Sequence, residues 1–296
     1  MFYLVIFIFP ILINSQVLDT DLSDGLNAEG VSIKYLEGSS EPFKGHVFNY
    51  YPNGNRELKG NYSRGLKEGK WVWWYPDGEK NKTGYYVRSL EDSIWQWWFK
   101  NGQLMKRGKY KKGKKEGRWS EWYEDGTLAN SFGYINNKPN GKCLKKFANG
   151  EKQIEIMYNY GIKSGIEKEW NENGIPVYEN NWKDGLKDGA QIIWAGNGLI
   201  LSKHRYSKGM LHGEYIDYYK SGQKSIVGNY RFGKKHGTWT YSYKDGVVAL
   251  SGNYRNGDPK GSWFWIRANK SEMVNVDDPD KDWVTKRIRE WERIYN

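Results

Sequence analysis

The side chains best suited to chemistry are few and widely separated in this chain. There is one cysteine, Cys143, and there are four histidines, His46, His204, His212 and His236. A single thiol forms neither an intramolecular disulfide nor a cysteine-cluster metal site. His212 and His236 stand one repeat apart in the pattern described below, so we expect about 10 Å between them, too far to share a metal ion.

The segment Asp278-x-Asp280-x-Asp282 has the beginning of a calcium-binding loop. Such a loop needs a glycine where Trp283 stands and a glutamate at its twelfth position, and the sequence has neither. There is also no phosphate-binding loop, no Gly-x-Ser-x-Gly, no His-Glu-x-x-His and no dinucleotide fingerprint. The sequence therefore predicts a protein that is not an enzyme, with no catalytic residues, no cofactor and no metal.

Aromatic residues and glycines dominate the composition and indicate the elements that would position any site. The 296 residues include 16 Trp, 23 Tyr and 35 Gly, and the mean hydropathy is -0.88. Disordered chains lack aromatic residues, and packed α/β domains need more aliphatic ones. The composition favours thin β-structure, in which flat rings cover a sheet and glycines form the turns.

A period of 24 residues organises most of the chain, and we number positions from the anchor residue that begins each repeat. The anchor is glycine except at Ser93, and position 17 is always aromatic. Position 9 is a glycine in all nine repeats, preceded by Asn or Asp in eight of them. Asn-Gly and Asp-Gly between aromatic or β-branched runs predict hairpins, because tight turns need a positive φ. The predicted turn glycines are Gly54, Gly78, Gly102, Gly126, Gly150, Gly174, Gly198, Gly222 and Gly246.

The type of turn decides which residues face each other across a hairpin. A two-residue turn places position 2 opposite position 15, so that a large ring covers a bare glycine. Position 15 is glycine in five such pairs, and in four of them position 2 is aromatic: Val47 with Gly60, Trp71 with Gly84, Trp95 with Gly108, Tyr215 with Gly228, and Trp239 with Gly252. Pro52 and Pro76 are also compatible with a type I turn bulged at the glycine, which we expect to shift this register by one residue.

A second tight turn, such as Gly65-Leu-Lys-Glu-Gly69, joins each repeat to the next. The predicted fold is all-β, an elongated single-sheet meander of nine stacked 24-residue β-hairpin repeats with a short C-terminal capping helix. We divide the chain into a signal peptide (1–16), an N-terminal lead or edge strand (17–44), a repeat array (45–265) and a C-terminal cap (266–296).

Both ends of the chain differ from the repeats. The first thirteen residues are almost entirely apolar, too few to span a bilayer but typical of a signal peptide, so we expect export to the periplasm, cell envelope or exterior. No later apolar segment predicts a transmembrane span. Near the C-terminus, Val284, Ile288, Trp291 and Tyr295 recur at helical spacing after Asp282, which predicts an amphipathic helix that Asp282 caps and that closes the last edge of the sheet.

The pattern Gly-x-Trp-x-x-Tyr/Trp-x-x-x-Asn/Asp-Gly, then Gly-x-Tyr-x-x-Gly-x-x-x-Gly, resembles the MORN repeat, specifically the variant of the bacterial YwqK-type antitoxin-like family. His212-Gly213 and His236-Gly237 are similar to the His-Gly of many MORN repeats. The resemblance runs from Gly45 to about Ile266. It implies hairpins in one elongated sheet, aromatic residues along a groove, and an interaction module. Some MORN proteins are linked to lipid binding or membrane junctions, and the bacterial variant is often labelled antitoxin.

The candidate binding residues are aromatic rings of the first strands, expected to line one groove. They are Trp71, Trp74, Trp95, Trp98, Trp119, Trp122, Trp170, Trp194, Tyr218 and Trp239. Position 2 loses its ring in repeats five to seven, at Cys143, Glu167 and Gln191, which indicates either drift or a distinct partner surface between residues 141 and 209.

The charge distribution leaves several kinds of partner open. The net charge is +11; since residues 1–44 carry -4 and residues 266–296 carry zero, the repeats carry +15. We expect an exported, non-catalytic scaffold that binds a protein partner through the aromatic groove. The alternatives are an antitoxin-like immunity protein that neutralises a toxin, and a module that binds cell-wall carbohydrate or anionic lipid. The absence of a known motif and the predicted export argue against nucleic acid, and the oligomeric state stays open.

Overall fold

The computed structural model describes residues 17–267, 270–274 and 281–295. The predicted signal peptide and Asp278 and Asp280 of the calcium-like pattern therefore lie outside the described residues. The described residues form a 23-stranded, largely meandering sheet, a separate two-stranded hairpin, a short 3-10 helix at Asp19–Asp21 and a C-terminal helix. The all-β meander of hairpins and the C-terminal helix are thereby confirmed. Within the described ranges, no helix has the length and apolar character needed to cross a membrane.

The strands follow the 24-residue period. Those as far as the fourth repeat are Val17–Leu18, Leu22–Leu26, Ser32–Leu36, Gly45–Tyr50, Arg56–Ser63, Leu66–Lys67, Gly69–Trp74, Lys80–Val87, Leu90–Trp98, Leu104–Lys111 and Lys114–Trp122. The others are Leu128–Ile135, Lys138–Pro139, Gly141–Lys146, Lys152–Asn159, Ile162–Trp170, Pro176–Lys183, Leu186–Trp194, Ile200–Ser207, Met210–Tyr218, Lys224–Arg231, Lys234–Ser242, Val248–Arg255, Asp258–Arg267 and Lys270–Val274. Contacts group the chain into an N-terminal unit, up to Glu116 with Glu124–Gly126, and a C-terminal unit that holds the remainder.

Two kinds of turn alternate along the meander. Within a repeat, the Gly78 N–H donates to the Tyr75 carbonyl (2.9 Å) and the Tyr75 N–H donates to the Glu79 carbonyl (2.7 Å), with Gly78 at φ +95°. This is a type I turn followed by a bulge at the glycine, the second of the two turns that the sequence allows. Between repeats, two successive residues have positive φ, as at Arg64 (51°) and Gly65 (73°), which is a type I′ turn.

The register predicted from a two-residue turn is nevertheless the observed one. Trp71 pairs with Gly84, and the same positions pair in the other four repeats in which position 15 is glycine. The reason is a second irregularity in the return strand: Trp74 pairs with Lys80 but Trp73 pairs with Lys82, so one residue is skipped. The bulge at the turn shifts the register by one residue and this irregularity shifts it back. The expectation that a bulged turn would displace the register was therefore wrong.

Tyrosine hydroxyls connect consecutive repeats near the bulged turns. The hydroxyl at position 6 donates to the carbonyl at position 5 of the next repeat, and each of these pairs is 23 residues apart in sequence. The pairs are Tyr51 with Trp74, Tyr75 with Trp98, Tyr123 with Lys146, Tyr219 with Ser242, and Tyr243 with Ile266. Because neighbouring repeats share these bonds, each repeat depends on the next for its stability.

Residues 17–44 form more than a lead or edge strand. Val17–Leu18 pairs in parallel with Gly45–Tyr50, and the hairpin of Leu22–Leu26 and Ser32–Leu36 rests on the first inter-repeat turn. There the Lys34 N–H donates to the Gly65 carbonyl (2.9 Å), and Ile33 is buried. Leu22 joins Val47, Leu58, Tyr62 and Trp71 in the core of the N-terminal unit.

The C-terminal helix packs on a face of the sheet, and closure of the last edge stays a prediction. It spans Lys281–Tyr295, so Asp282 is in the first turn and does not precede the helix as a cap. The Trp291 ring lies 5.4 Å from the Tyr241 ring, and its Nε1 donates to the Ser242 carbonyl (3.1 Å). Val284 and Trp291 are buried in this contact, because the aromatic face offers apolar surface that a strand edge lacks.

Candidate binding face

Strand alternation places positions 2, 4, 13, 15 and 17 of each repeat on one side of the sheet, which we call the ring face. The position 2 rings Trp71, Trp95 and Trp239 are at most 3% exposed. Contacts with neighbouring repeats contribute to this burial.

Each buried ring lies over the position 15 glycine of the preceding repeat. A Cβ atom placed on Gly84 would be 2.1 Å from the Cδ2 and Cε2 atoms of Trp95. The same contact joins Gly60 to Trp71, Gly228 to Trp239, and Gly252 to Trp263. The predicted covering of a strand glycine by a ring is thus present, but the covered glycine belongs to the previous hairpin and not to the ring's own. The inter-repeat strands bring that glycine under the indole.

A tyrosine completes each of these contacts. The Tyr86 ring meets the Trp95 ring edge to face, with centroids 5.1 Å apart and planes at 87°. The contact recurs between Tyr230 and Trp239, at 5.1 Å and 90°. Edge-to-face pairs add about 0.5–1.5 kcal/mol beyond the burial of area. Position 17 is aromatic in every repeat, and in these repeats it supports the next repeat's tryptophan.

Polar side chains replace this contact in the middle of the C-terminal unit. Gln191 Nε2 donates to Asn180 Oδ1 (2.8 Å), and the His204 ring stacks on the Tyr215 ring at 3.9 Å and 8°. In both cases a filled position 15 contacts position 2 of the next repeat, as glycine and tryptophan do elsewhere. The same spatial pair is kept and only its chemistry changes.

Two carboxylates on this polar part of the ring face are held by neighbours. Glu167 is 6% exposed and accepts hydrogen bonds from Lys163 Nζ and Trp182 Nε1, both at 2.8 Å. Asp217 accepts from the Tyr215 hydroxyl (2.8 Å) and lies 2.9 Å from His204 Nε2. Buried polar groups that satisfy one another in this way preserve packing, and they do not by themselves mark a reaction centre.

The ten rings predicted to line one groove divide between the two faces. Trp71, Trp95, Trp119 and Trp239 are buried on the ring face and pack the interior of the repeats. The position 5 rings are half-buried, and strand alternation turns them to the opposite face. They are Trp74, Trp98, Trp122, Trp170, Trp194 and Tyr218. A role of these six in binding stays a prediction, but the ten do not form a single groove.

Sequence reasoning passed over four ring-face residues of the N-terminal unit that reach solvent. These are Trp73 and Trp97 at position 4 and Lys82 and Lys106 at position 13, all half-buried, and we call them the lysine–tryptophan zone. Lys82 Nζ lies 4.3 Å from the centroid of the Trp73 ring, and Lys106 Nζ lies 5.7 Å from that of Trp97. The sequence did contain a signal for Trp73: it lies two residues after Trp71, and side chains two residues apart point to the same face of a strand.

Burial changes the titration of Lys82. Loss of water lowers the pKa of Lys82 below its ordinary value, and the positive charge of Lys67 lowers it further. The Lys82 ammonium has thus already lost part of its hydration. The ammonium groups of Lys82 and Lys106 are both held over aromatic rings, which is a favourable cation–π geometry. The zone therefore presents positively charged groups next to the apolar surface of two indole rings.

Among the residues that the structure describes, the histidines, the cysteine and the acidic side chains form no group that could hold a metal ion. Cys143 is buried, and desolvation raises the pKa of its thiol, which makes it less reactive.

Comparison with known proteins finds a repeat family that matches part of the chain. Six segments match the family model described as the MORN repeat variant: residues 44–64, 67–88, 91–112, 115–136, 163–184 and 235–256. No curated protein matches the chain.

Among solved structures, a chain in the crystal structure of TcdB2-TccC3-Cdc42 is 9% identical, with a TM-score of 0.19 over 87% of this chain, which spans only 16% of that one. A porin-like protein from Bacteroides uniformis is 10% identical, with a TM-score of 0.16 over 81% of this chain and 91% of its own. At these scores neither likeness bears on fold or function.

Proposed function

We propose that this chain is an exported, non-catalytic scaffold that binds an acidic segment of a protein partner through its ring face. The observation that carries the proposal is the lysine–tryptophan zone, where ammonium groups lie over half-buried indole rings. The predicted signal peptide supports export, and the match of six segments to the MORN repeat variant supports an interaction module.

The chemistry of the zone favours carboxylates that are attached to apolar groups. Because Lys82 has already lost part of its hydration, pairing it with a partner's carboxylate removes less water than pairing an exposed lysine. The uncovered parts of Trp73 and Trp97 then offer apolar area to the partner's side chains. The charge of +15 on the repeats would attract such a partner over longer distances.

The test is a titration with a synthetic peptide that alternates glutamate and leucine, followed through tryptophan fluorescence. We expect Lys82→Glu together with Lys106→Glu to weaken binding by about tenfold or more, because both attractive contacts become repulsive. The matched control is Lys70→Glu together with Lys109→Glu, which changes the net charge equally on the opposite face. Equal losses in both variants would show that only net charge matters and would refute a site on the ring face.

Export is tested separately by the intact mass and the location of the protein in its host. Loss of about the first sixteen residues, with the protein outside the cytoplasm, is the expected result. A full-length cytoplasmic protein would remove export from the proposal and would make neutralisation of a toxin the leading function.

A further inference from the structure

A second surface lies on the edge of the C-terminal unit that carries the inter-repeat turns. Five apolar side chains there are between 46% and 60% exposed, and we call them the turn row. They are Tyr160, Ile162, Leu186, Met210 and Phe232. Each of Ile162 and Leu186 leans over the glycine of the following turn, at 3.2 Å from a Cβ placed on Gly185 and 3.6 Å from one placed on Gly209. The side chains therefore form a row along the edge, separate from the ring face.

Two members of the row are aromatic residues at a turn position with positive φ. Tyr160 and Phe232 have φ of 46° and 49°, in the left-handed region that bulky side chains rarely adopt. The type I′ turn has this φ in every repeat, including those with Asp184 and Lys208, so the turn does not require a ring there. Both rings are exposed and belong to no core, and exposed apolar residues that lie together mark interaction sites.

The charge around the row is positive. The four turns at 159–162, 183–186, 207–210 and 231–234 contain four basic residues, Lys183, Lys208, Arg231 and Lys234, all exposed. Asp184 is the single acidic residue in these turns. An apolar row bordered by positive charge favours an occupant that is both apolar and acidic.

The N-terminal unit contains an intramolecular precedent. Leu66 and Leu90 hold the same repeat position as Ile162 and Leu186, and they line a cleft of about 500 Å³ with residues of the N-terminal hairpin. That hairpin contributes Glu29 and Val31 to the cleft and belongs to the segment with a charge of -4. An acidic and apolar segment of this chain thus already reaches the equivalent edge residues.

We infer that the turn row binds an acidic amphipathic helix of a protein partner. Two strands of about 4.8 Å separate successive members at the same position, so Ile162, Leu186 and Met210 recur roughly every 10 Å. A helix places every seventh residue at about 10.5 Å along its axis, whereas same-face residues of a strand recur at about 6.7 Å or 13 Å. Apolar side chains at helix positions i, i+7 and i+14 therefore match the row, and flanking acids meet its lysines and arginine.

The experiment uses the full chain and two fluorescent peptides of about 21 residues, three heptads, with one composition. One peptide has leucine at every seventh position among glutamate and alanine, and the other is scrambled. Vesicles of phosphatidylcholine with about 30% phosphatidylserine are the third probe, because an anionic membrane could meet the same chemistry. The expected result is binding of the ordered peptide at least about tenfold tighter than the scrambled one, without retention on vesicles.

Variants locate the site. The double variant Leu186→Ser and Met210→Ser is expected to weaken binding of the ordered peptide by about tenfold or more, because central apolar contacts dominate such interfaces. Leu199→Ser with Val247→Ser, exposed apolar residues at the opposite turns, is the control and is expected to change binding by less than about twofold. Unchanged unfolding midpoints establish that both variants are folded. Equal binding of the two peptides, equal loss in the two variants, or binding of vesicles but of neither peptide would overturn the inference.

Discussion

Replacement of Gly84 by alanine tests the contact between one repeat and the next. The backbone of Gly84 is not in the left-handed region, so alanine fits it without strain. Without other effects, alanine would stabilise the folded state by about 0.4–1 kcal/mol, because it lowers the conformational entropy of the unfolded chain. The new Cβ would, however, lie 2.1 Å from the ring of Trp95, which is 3% exposed and fixed by Tyr86. Overpacking of this kind costs about 1–3 kcal/mol, so we expect a net loss of stability.

The assay is urea unfolding at equilibrium, and the control is Gly196→Ala. Gly196 also has ordinary backbone angles, and nothing lies within 4 Å of the added Cβ, so this change is expected to be neutral or stabilising. In a Trp95→Ala background, which itself costs about 3–5 kcal/mol, the penalty at Gly84 should disappear. If Gly84→Ala is as stable as Gly196→Ala, or if its penalty persists without the indole, the proposed contact between the repeats is wrong.

Three further changes test other parts of the fold. Ser93 occupies an anchor position at φ 59°, so Ser93→Gly should raise the free energy of unfolding by about 1 kcal/mol, whereas Ser63→Gly within a strand should lower it; urea unfolding measures both. Burial, followed by the nearby charge of Glu91, raises the pKa of Tyr86 to about 12. As the pH rises, the unfolded chain therefore loses the Tyr86 proton before the folded chain does. The contribution of Tyr86 to the free energy of unfolding is complete below about pH 10 and falls towards pH 12. Tyr86→Phe should therefore lose less stability than the unsubstituted chain between about pH 10 and pH 12, measured by unfolding at several pH values. Phe147→Tyr should stabilise by about 0.5–1.5 kcal/mol in thermal or urea unfolding by adding the position 6 hydroxyl bond to the next repeat, and no gain would show that this bond does not form there.

The sequence was sufficient to predict the meander because its signals are local and repeat nine times. Asn-Gly and Asp-Gly mark each hairpin, and the spacing of Trp71 and Gly84 gives the register. The register came out right although the turn is bulged, because the skipped residue in the return strand has no marker in the sequence. Two displacements of one residue cancel, and only their sum is visible in the pairing of position 2 with position 15.

The candidate site was less predictable because it depends on which neighbour each ring contacts. Trp71 and Trp74 are equally aromatic, yet one is buried on the ring face and the other lies on the opposite face. Burial of Trp71 requires the bare Gly60 of the previous repeat, a relation between hairpins that the pattern within one hairpin does not contain. The lysine–tryptophan zone likewise depends on which side chains face each other on neighbouring strands. That pairing follows from the register, and the register follows only once the turn is known.

The same relation explains the loss of tryptophan from position 2 in the middle of the array. Where position 15 is filled by Asn180 or His204, the next position 2 is Gln191 or Tyr215, and the two side chains contact each other directly. An indole needs an empty position below it, so once the glycine is replaced the ring must change with it. The altered residues between 141 and 209 therefore do not by themselves require a partner on the ring face. The exposed ring of Tyr160 in the same stretch has no such explanation from packing, which is why we place the partner surface of this stretch on the turn row.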